Sequence, residues 1–198
     1  MKYIFVTGAP GSKWSSVVRN IYYSPDVDRS DSSPDRTYRD DLHLGAYWDP
    51  GMEFGQFFHR LNEHDHYQCE TEFDAPFTGS GVRIIKSHYF AQHIDYIKNT
   101  WPDCPIVLAH RTDDACLGWW VKCGGFDIAY PDYTHYKNFD NLALKIQQQN
   151  AGIVAAALRY PGRIALTNHQ LCNILKIAPP PSEYHQDYGQ SDVRVTVI

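Results

Sequence analysis

The first sixteen residues constrain the fold more than any other stretch of this 198-residue chain. Lys2-Tyr-Ile-Phe-Val-Thr7 reads as a buried β-strand, and Gly8-Ala-Pro-Gly-Ser-Lys-Trp-Ser-Ser16 follows it without a gap and opens a helix. A glycine-containing turn between strand and helix aims backbone N–H groups and the positive end of the helix at one point, which suits a phosphate or a sulfate. The turn departs from the nucleoside-triphosphate loop, in which Gly directly precedes Lys and a hydroxyl residue directly follows it. Here Lys13 stands between Ser12 and Trp14. The missing hydroxyl is the one that normally binds Mg²⁺, so the turn reads as a metal-free anion site, with a glycine turn that holds no ligand as the plain alternative.

Two later segments extend this turn into a constellation. Gly81-Val-Arg-Ile-Ile-Lys-Ser-His88 is an apolar strand ending in Lys86, Ser87 and His88, and Cys104-Pro-Ile-Val-Leu-Ala-His-Arg111 is another ending in Arg111. In a parallel α/β sheet the carboxyl ends of the strands converge on one crevice, so Lys13, His88 and Arg111 are expected to share a site. Between the strands lie helical patterns: Val17, Val18 and Ile21 after the first turn, Tyr89 to Thr100, Asp113 to Val121, and Asn141 to Tyr160 before Pro161-Gly162. Arg163 to Thr167 supplies a further strand, followed by a short helix through Leu171, Ile174 and Leu175. This alternation predicts an α/β fold, a three-layer α/β/α sandwich with a mainly parallel central sheet and a P-loop-like strand-turn-helix.

At this point the residues resemble the nucleotide-dependent sulfotransferases, which move a sulfuryl group from 3′-phosphoadenosine 5′-phosphosulfate (PAPS) to an acceptor. Thr7 to Ser16 resembles the family's 5′-phosphosulfate loop, Ile85-Lys-Ser-His88 its Lys-Thr-His strand end, and Val107 to Ala115 its 3′-phosphate segment. The likeness covers about the first 120 residues, with three motifs in order. It implies that Gly8, Gly11, Ser12, Lys13, Trp14, Ser15, Ser16 and Arg111 bind PAPS, and that adenosine 3′,5′-bisphosphate (PAP) leaves as product. Lys13 and Lys86 would offset charge on the leaving phosphate oxygen, His88 would take the acceptor's proton, and Arg111 would fork onto the 3′-phosphate. The acceptor would be a small molecule or glycan carrying a hydroxyl or amine.

The chain also departs from the family. Lys or Arg usually stands where this sequence has Gly11, so the basic group falls to Lys13. The Ser expected about eight residues after the 3′-phosphate Arg is replaced by Trp119. Arg111 has another natural partner in Asp113 or Asp114, and Ser12, Ser15 and Ser16 are also suited to capping the helix. Two other functional classes stay open: a Mg-ATP-dependent kinase of small molecules or nucleotides, and a noncatalytic nucleotide-binding module.

The formal net charge of −5 argues against nonspecific nucleic-acid binding. No apolar run of about 18 residues and no basic-then-apolar leader is present, and the five cysteines are scattered. The expectation is one cytoplasmic domain over residues 1–198, without a metal or a membrane partner, with a homo-oligomer admitted. His64 and His66 flank Asp65, a set that reads as a solvated helix end rather than a metal site. Within the domain, 24–41 reads as an exposed loop or lid, Leu42 to Trp48 as an acceptor wall, Met52 to Leu61 as a helix, and 179–198 as a C-terminal tail whose last residues alternate weakly as a strand.

Overall fold

The computed structural model describes residues 1–31, 46–47, 60–122 and 138–198. Strand β1 (Tyr3–Gly8) is buried along its whole length. Its side chains alternate between the faces of a sheet, and the two faces are apolar in different ways. Ile4 and Val6 enter a cluster with Trp14, Val17, Val18 and Ile21, the inward residues of helix α1 (Trp14–Tyr22). Tyr3 and Phe5 enter a second cluster, rich in aromatics, on the opposite face. There the Phe5 ring lies 5.5 Å from Phe73, 5.6 Å from Phe90 and 5.4 Å from Trp101, at edge-on or tilted angles that suit aromatic quadrupoles.

The described strands form one mixed sheet in the order β2-β3-β1-β4-β6-β5. Strands β2 (Ala46–Tyr47), β3 (Arg83–Lys86), β1 and β4 (Ile106–His110) run parallel, with Val6 level with Lys86 and with Val107. Because β1 lies between β3 and β4, both later strands bring their carboxyl ends beside the end of β1. The C-terminal strand β6 (Arg194–Val197) is inserted antiparallel between β4 and β5 (Arg163–Ala165), so the tail is a structural strand. Among the described residues strand β5 pairs with β6 alone, which makes that half of the sheet antiparallel.

Helix α2 (His66–Asp74) starts at a capping box: Asp65 accepts from the Gln68 N–H at 2.9 Å, and Gln68 accepts from the Asp65 N–H at 3.2 Å. The segment between β3 and β4 is not one helix from Tyr89. Ser87 accepts the Tyr89 N–H and sets a 3-10 turn over His88–Gln92, after which α3 (Ile94–Thr100) begins. Helix α4 spans Asp113–Lys122, α5 spans Phe139–Arg159 behind an Asn138 cap, and α6 (Asn168–Leu175) starts at a Thr167 cap.

Residues 24–31, expected to be exposed, are so only in part: Pro25, Asp26, Arg29 and Ser30 are exposed, whereas Ser24, Val27, Asp28 and Asp31 are buried, and Val27 bridges to Val82. The rest of that loop, the acceptor wall apart from Ala46–Tyr47, and most of the helix expected over Met52 to Leu61 lie outside the described residues. Leu61 itself is buried among the aromatics. Cys69, Cys104, Cys116 and Cys172 are buried and free; Cys123 lies outside the described residues. Among the described residues no helix is long and apolar enough to cross a membrane.

Candidate anion site at the end of the first strand

The turn that leaves β1 is closed by a hydrogen bond from the Ser12 N–H to the Ala9 carbonyl, 2.9 Å. Pro10 presets one central φ and Gly11 takes the positive value, 77°, which is the residue order of a type II turn. Gly11 also lies hard against α4: a Cβ there would come 2.0 Å from the Cys116 carbonyl oxygen. Conformation and space both exclude a basic side chain at Gly11, and the cation of this turn is Lys13. Lys13 is left-handed as well (φ 62°, ψ 19°) and serves as the N-cap of α1 without a side-chain cap hydrogen bond. The first turn of α1 contains no acidic residue. None of the serines caps it, and the buried Ser12 hydroxyl has no hydrogen-bond partner among the described residues.

Arg111, just past the end of β4, reaches back to this turn. Its Nη1 donates to the Gly11 carbonyl at 2.7 Å, while Nη2 pairs with the Asp192 carboxylate. The other oxygen of Asp192 lies 3.4 Å from Lys13 Nζ. The two expected phosphate-binding cations therefore converge on one oxyanion, supplied by the half-exposed Asp192 in the turn before β6. Their charge holds the Asp192 carboxyl below its ordinary pKa, Arg111 contributing most. Neither Asp113 nor Asp114 pairs with Arg111. Asp113 instead accepts from Asn150 Nδ2 at 2.7 Å, and the same amide nitrogen donates to the Arg111 carbonyl at 2.9 Å.

Trp119, on helix α4, gathers the cations on the outer side. Its ring centroid lies 4.6 Å from Lys13 Nζ and 5.9 Å from both the Arg111 guanidinium carbon and Lys122 Nζ. Native proteins leave few buried polar groups unbonded. Among the described residues, such atoms at this site include Ser12 Oγ, Arg111 Nε and Asn150 Oδ1.

His88 and Lys86 stand behind the turn. His88 Nδ1 hydrogen-bonds the Gly8 carbonyl, and since a carbonyl only accepts, the proton sits on Nδ1. The His88 ring centroid is 4.3 Å from that of Trp14, and the side chain is buried. Burial pushes its pKa down to about 3, assisted by the charges of Lys145 and Lys86 and opposed by the Gly8 hydrogen bond. The near-neutral histidine expected of a general base is therefore a buried, neutral one. Lys86 is fully buried rather than reaching to solvent, with Nζ 5.9 Å from the Trp14 ring centroid. Its charge reaches Asp31, whose pKa burial raises to about 6 against the pull of Lys86 and of the Tyr22 hydroxyl, 3.3 Å away.

Lys13, Trp14, His88, Lys86 and Arg111 thus all meet the same turn, with Ser15 and Ser16 half-buried on the first turn of α1. Asp192 and Asn150 join them without any motif to announce them. A cleft of about 910 Å³ opens at the opposite end of the sheet, between residues such as Met1, Val82, Cys104, Arg163 and Lys176. None of the expected site residues lines it. No family model, no curated protein and no solved structure matches this chain.

Proposed function

We propose that this chain is a PAPS-dependent sulfotransferase, a three-layer α/β/α protein whose P-loop-like turn takes the donor. One observation carries the reading: Lys13 and Arg111, 98 positions apart (111 − 13), hold the two oxygens of one carboxylate at the end of a strand-turn-helix. A site that binds an oxyanion in this manner fits a phosphate or sulfate of the donor. Two further observations support the fit. No side chain caps the α1 N-terminus, its first turn holds no acidic residue, and Ser12 and Arg111 keep polar atoms unbonded among the described residues.

In this reading the acceptor oxygen or nitrogen attacks sulfur as the bond from sulfur to the 5′-phosphate oxygen breaks. PAP departs with that bonding pair, and the acceptor's proton passes to a base. Lys13 offsets charge on the donor at the mouth of the turn, and Lys86 contributes its field from within. His88 supplies the accepting nitrogen, Nε2, because Nδ1 is committed to Gly8. The donor's negative charge opposes the fields of Lys86 and Lys145 and so raises the proton affinity of His88.

The burial of His88 favours one competing reading, a nucleotide-binding module without turnover. Titration calorimetry with PAP, ATP and ATP plus Mg²⁺ tests the binding claim. Metal-independent preference for PAP supports it, and preference for Mg-ATP refutes it in favour of a kinase. Turnover of labelled PAPS against hydroxyl and amine acceptors then decides between enzyme and module, with His88→Ala expected to abolish transfer while PAP still binds.

A further inference from the structure

Leu142, Ile146 and Asn150 follow one another at intervals of four along the buried side of α5. The two apolar members form a cluster with Ala9 of the first turn and Cys116 of α4. Asn150, only 4% exposed, is the polar end of that line. A leucine would suit the packing better, since a buried amide costs free energy wherever it is not fully bonded. Asn150 Oδ1 has no hydrogen-bond partner among the described residues. What the amide does lies at its other end. Both hydrogens of Nδ2 are spent on the junction between β4 and α4, one on the Arg111 carbonyl at 2.9 Å and one on Asp113 Oδ1 at 2.7 Å, 39 and 37 positions away.

We propose that Asn150 is a positioning residue of the anion site: it fixes the backbone of Arg111 and holds the Asp113 carboxylate off the Arg111 guanidinium, which leaves that cation to an oxyanion ligand. The Arg111 carbonyl is met by Asn150 and by Cys116 Sγ at 3.7 Å, so α5 and α4 together set its peptide plane. From that plane the side chain runs to the Gly11 carbonyl.

The two carboxylates within reach of Arg111 differ in how they can let go. Asp113 is carried two residues further along the same backbone, and once paired with the guanidinium it would stay beside it with or without a ligand. Asn150 takes up its Oδ1 instead. The charge goes to Asp192, whose side chain is 48% exposed and comes from a distant turn, so a phosphate or sulfate can displace it. The inference rests on the site taking an oxyanion, and not on PAPS as the donor.

Inorganic phosphate titrated into the full chain, with NMR of the Lys13 and Arg111 side chains, reads the charge left to a ligand. Asn150→Leu is expected to weaken phosphate binding about tenfold, the scale of one hydrogen bond to a charged group. Asp113→Asn alone is expected to change it by less than about twofold, but to restore most of the loss when added to Asn150→Leu. An amide that only filled the core would show no such rescue. A second readout needs no ligand. Arg111 is the chief group holding the Asp192 carboxyl below its ordinary pKa, and carbon NMR follows that titration. In Asn150→Leu the Asp192 midpoint is expected to rise toward the ordinary value, and in the double variant to fall back. Asn150→Ala asks for no extra room, is expected to behave alike, and serves if the leucine variant does not fold. Unchanged phosphate affinity with an unmoved Asp192 midpoint overturns the proposal, as does a double variant no better than the single one. A wild type that binds no phosphate, while Asp192 responds as expected, removes the anion reading and leaves the placing of Arg111 by Asn150 supported.

Discussion

Lys13 holds a backbone conformation that L-residues avoid, and two substitutions there separate the cost of that conformation from the use of the side chain. Left-handed φ and ψ cost a non-glycine residue roughly 1–2 kcal/mol. Glycine is free of that cost but surrenders about 0.5–1 kcal/mol of extra chain entropy on folding. Lys13→Gly should therefore be more stable than Lys13→Ala by about 0.5–1 kcal/mol, although both lack the ammonium. Against the wild type, each variant loses the 3.4 Å contact to Asp192, a partly exposed ion pair worth about 0.2–1 kcal/mol. Each also loses the contact with the Trp119 ring, worth about 0.5–1 kcal/mol at an exposed site. The glycine variant should thus fall within about 1 kcal/mol of the wild type, and the alanine variant about 1–2 kcal/mol below it. Urea unfolding followed by tryptophan fluorescence reads both differences, which for a chain of this size correspond to a few degrees in Tm. An alanine variant as stable as the glycine variant would refute the strained turn. Calorimetry reads the other half: both variants should lose PAP affinity alike, and a glycine variant that binds PAP as tightly as the wild type would remove Lys13 from the site.

Asp192→Asn removes the carboxylate that Lys13 and Arg111 hold, so PAP or inorganic phosphate should bind about tenfold more tightly, a gain of about 1.4 kcal/mol; unchanged or weaker binding by calorimetry would show that Asp192 does not compete with the ligand. Asp31, with its pKa raised to about 6, binds a proton more tightly folded than unfolded. Its contribution to stability is therefore full below the unfolded value near 4 and is lost as pH rises through 6, by up to about 3 kcal/mol for a shift of two units. Asp31→Asn should flatten that part of the profile of unfolding free energy against pH, and superimposable profiles would refute the assignment. Nitrogen NMR should find His88 neutral and protonated on Nδ1 at pH 5, where exposed histidines are cationic; a midpoint above 5 would contradict its burial. Phe5→Ala, at the centre of the aromatic cluster, should cost about 3–5 kcal/mol in chemical denaturation, and a loss under 1 kcal/mol would mean that the cluster is loosely packed.

Much of the scaffold was legible because its signals are local. The apolar run at Tyr3–Val6, the spacing of Val17, Val18 and Ile21, and the long pattern before Pro161 each mark an element through neighbouring residues alone. The convergence of Lys13 and Arg111 on one turn followed from the rule for strand ends. What escaped depends on partners far apart in sequence. Nothing local tells that Arg194–Val197 enters the sheet beside β4, or that Asp192 meets a cation 81 residues away and another 179 residues away. The sealing of His88 and Lys86 escaped for the same reason, since a strand end reads alike whether water or a tryptophan ring covers it. The turn at His88–Gln92 was missed because a single serine hydroxyl, on Ser87, redirects a helical pattern.

The place of β6 in the sheet also orders events during synthesis. A chain leaving the ribosome from its N-terminus presents β1, β3 and β4 early, and these pair with one another without waiting. Strand β5 emerges before its mate among the described residues, the segment Arg194–Val197, has been made. Until then the far edge of β4 offers an open row of amides and carbonyls, the kind of edge that recruits strands from other nascent chains. Arrival of the last strand closes that edge and delivers Asp192 to Arg111 in the same step, so the two cations gain their internal counter-charge only when the edge is no longer exposed.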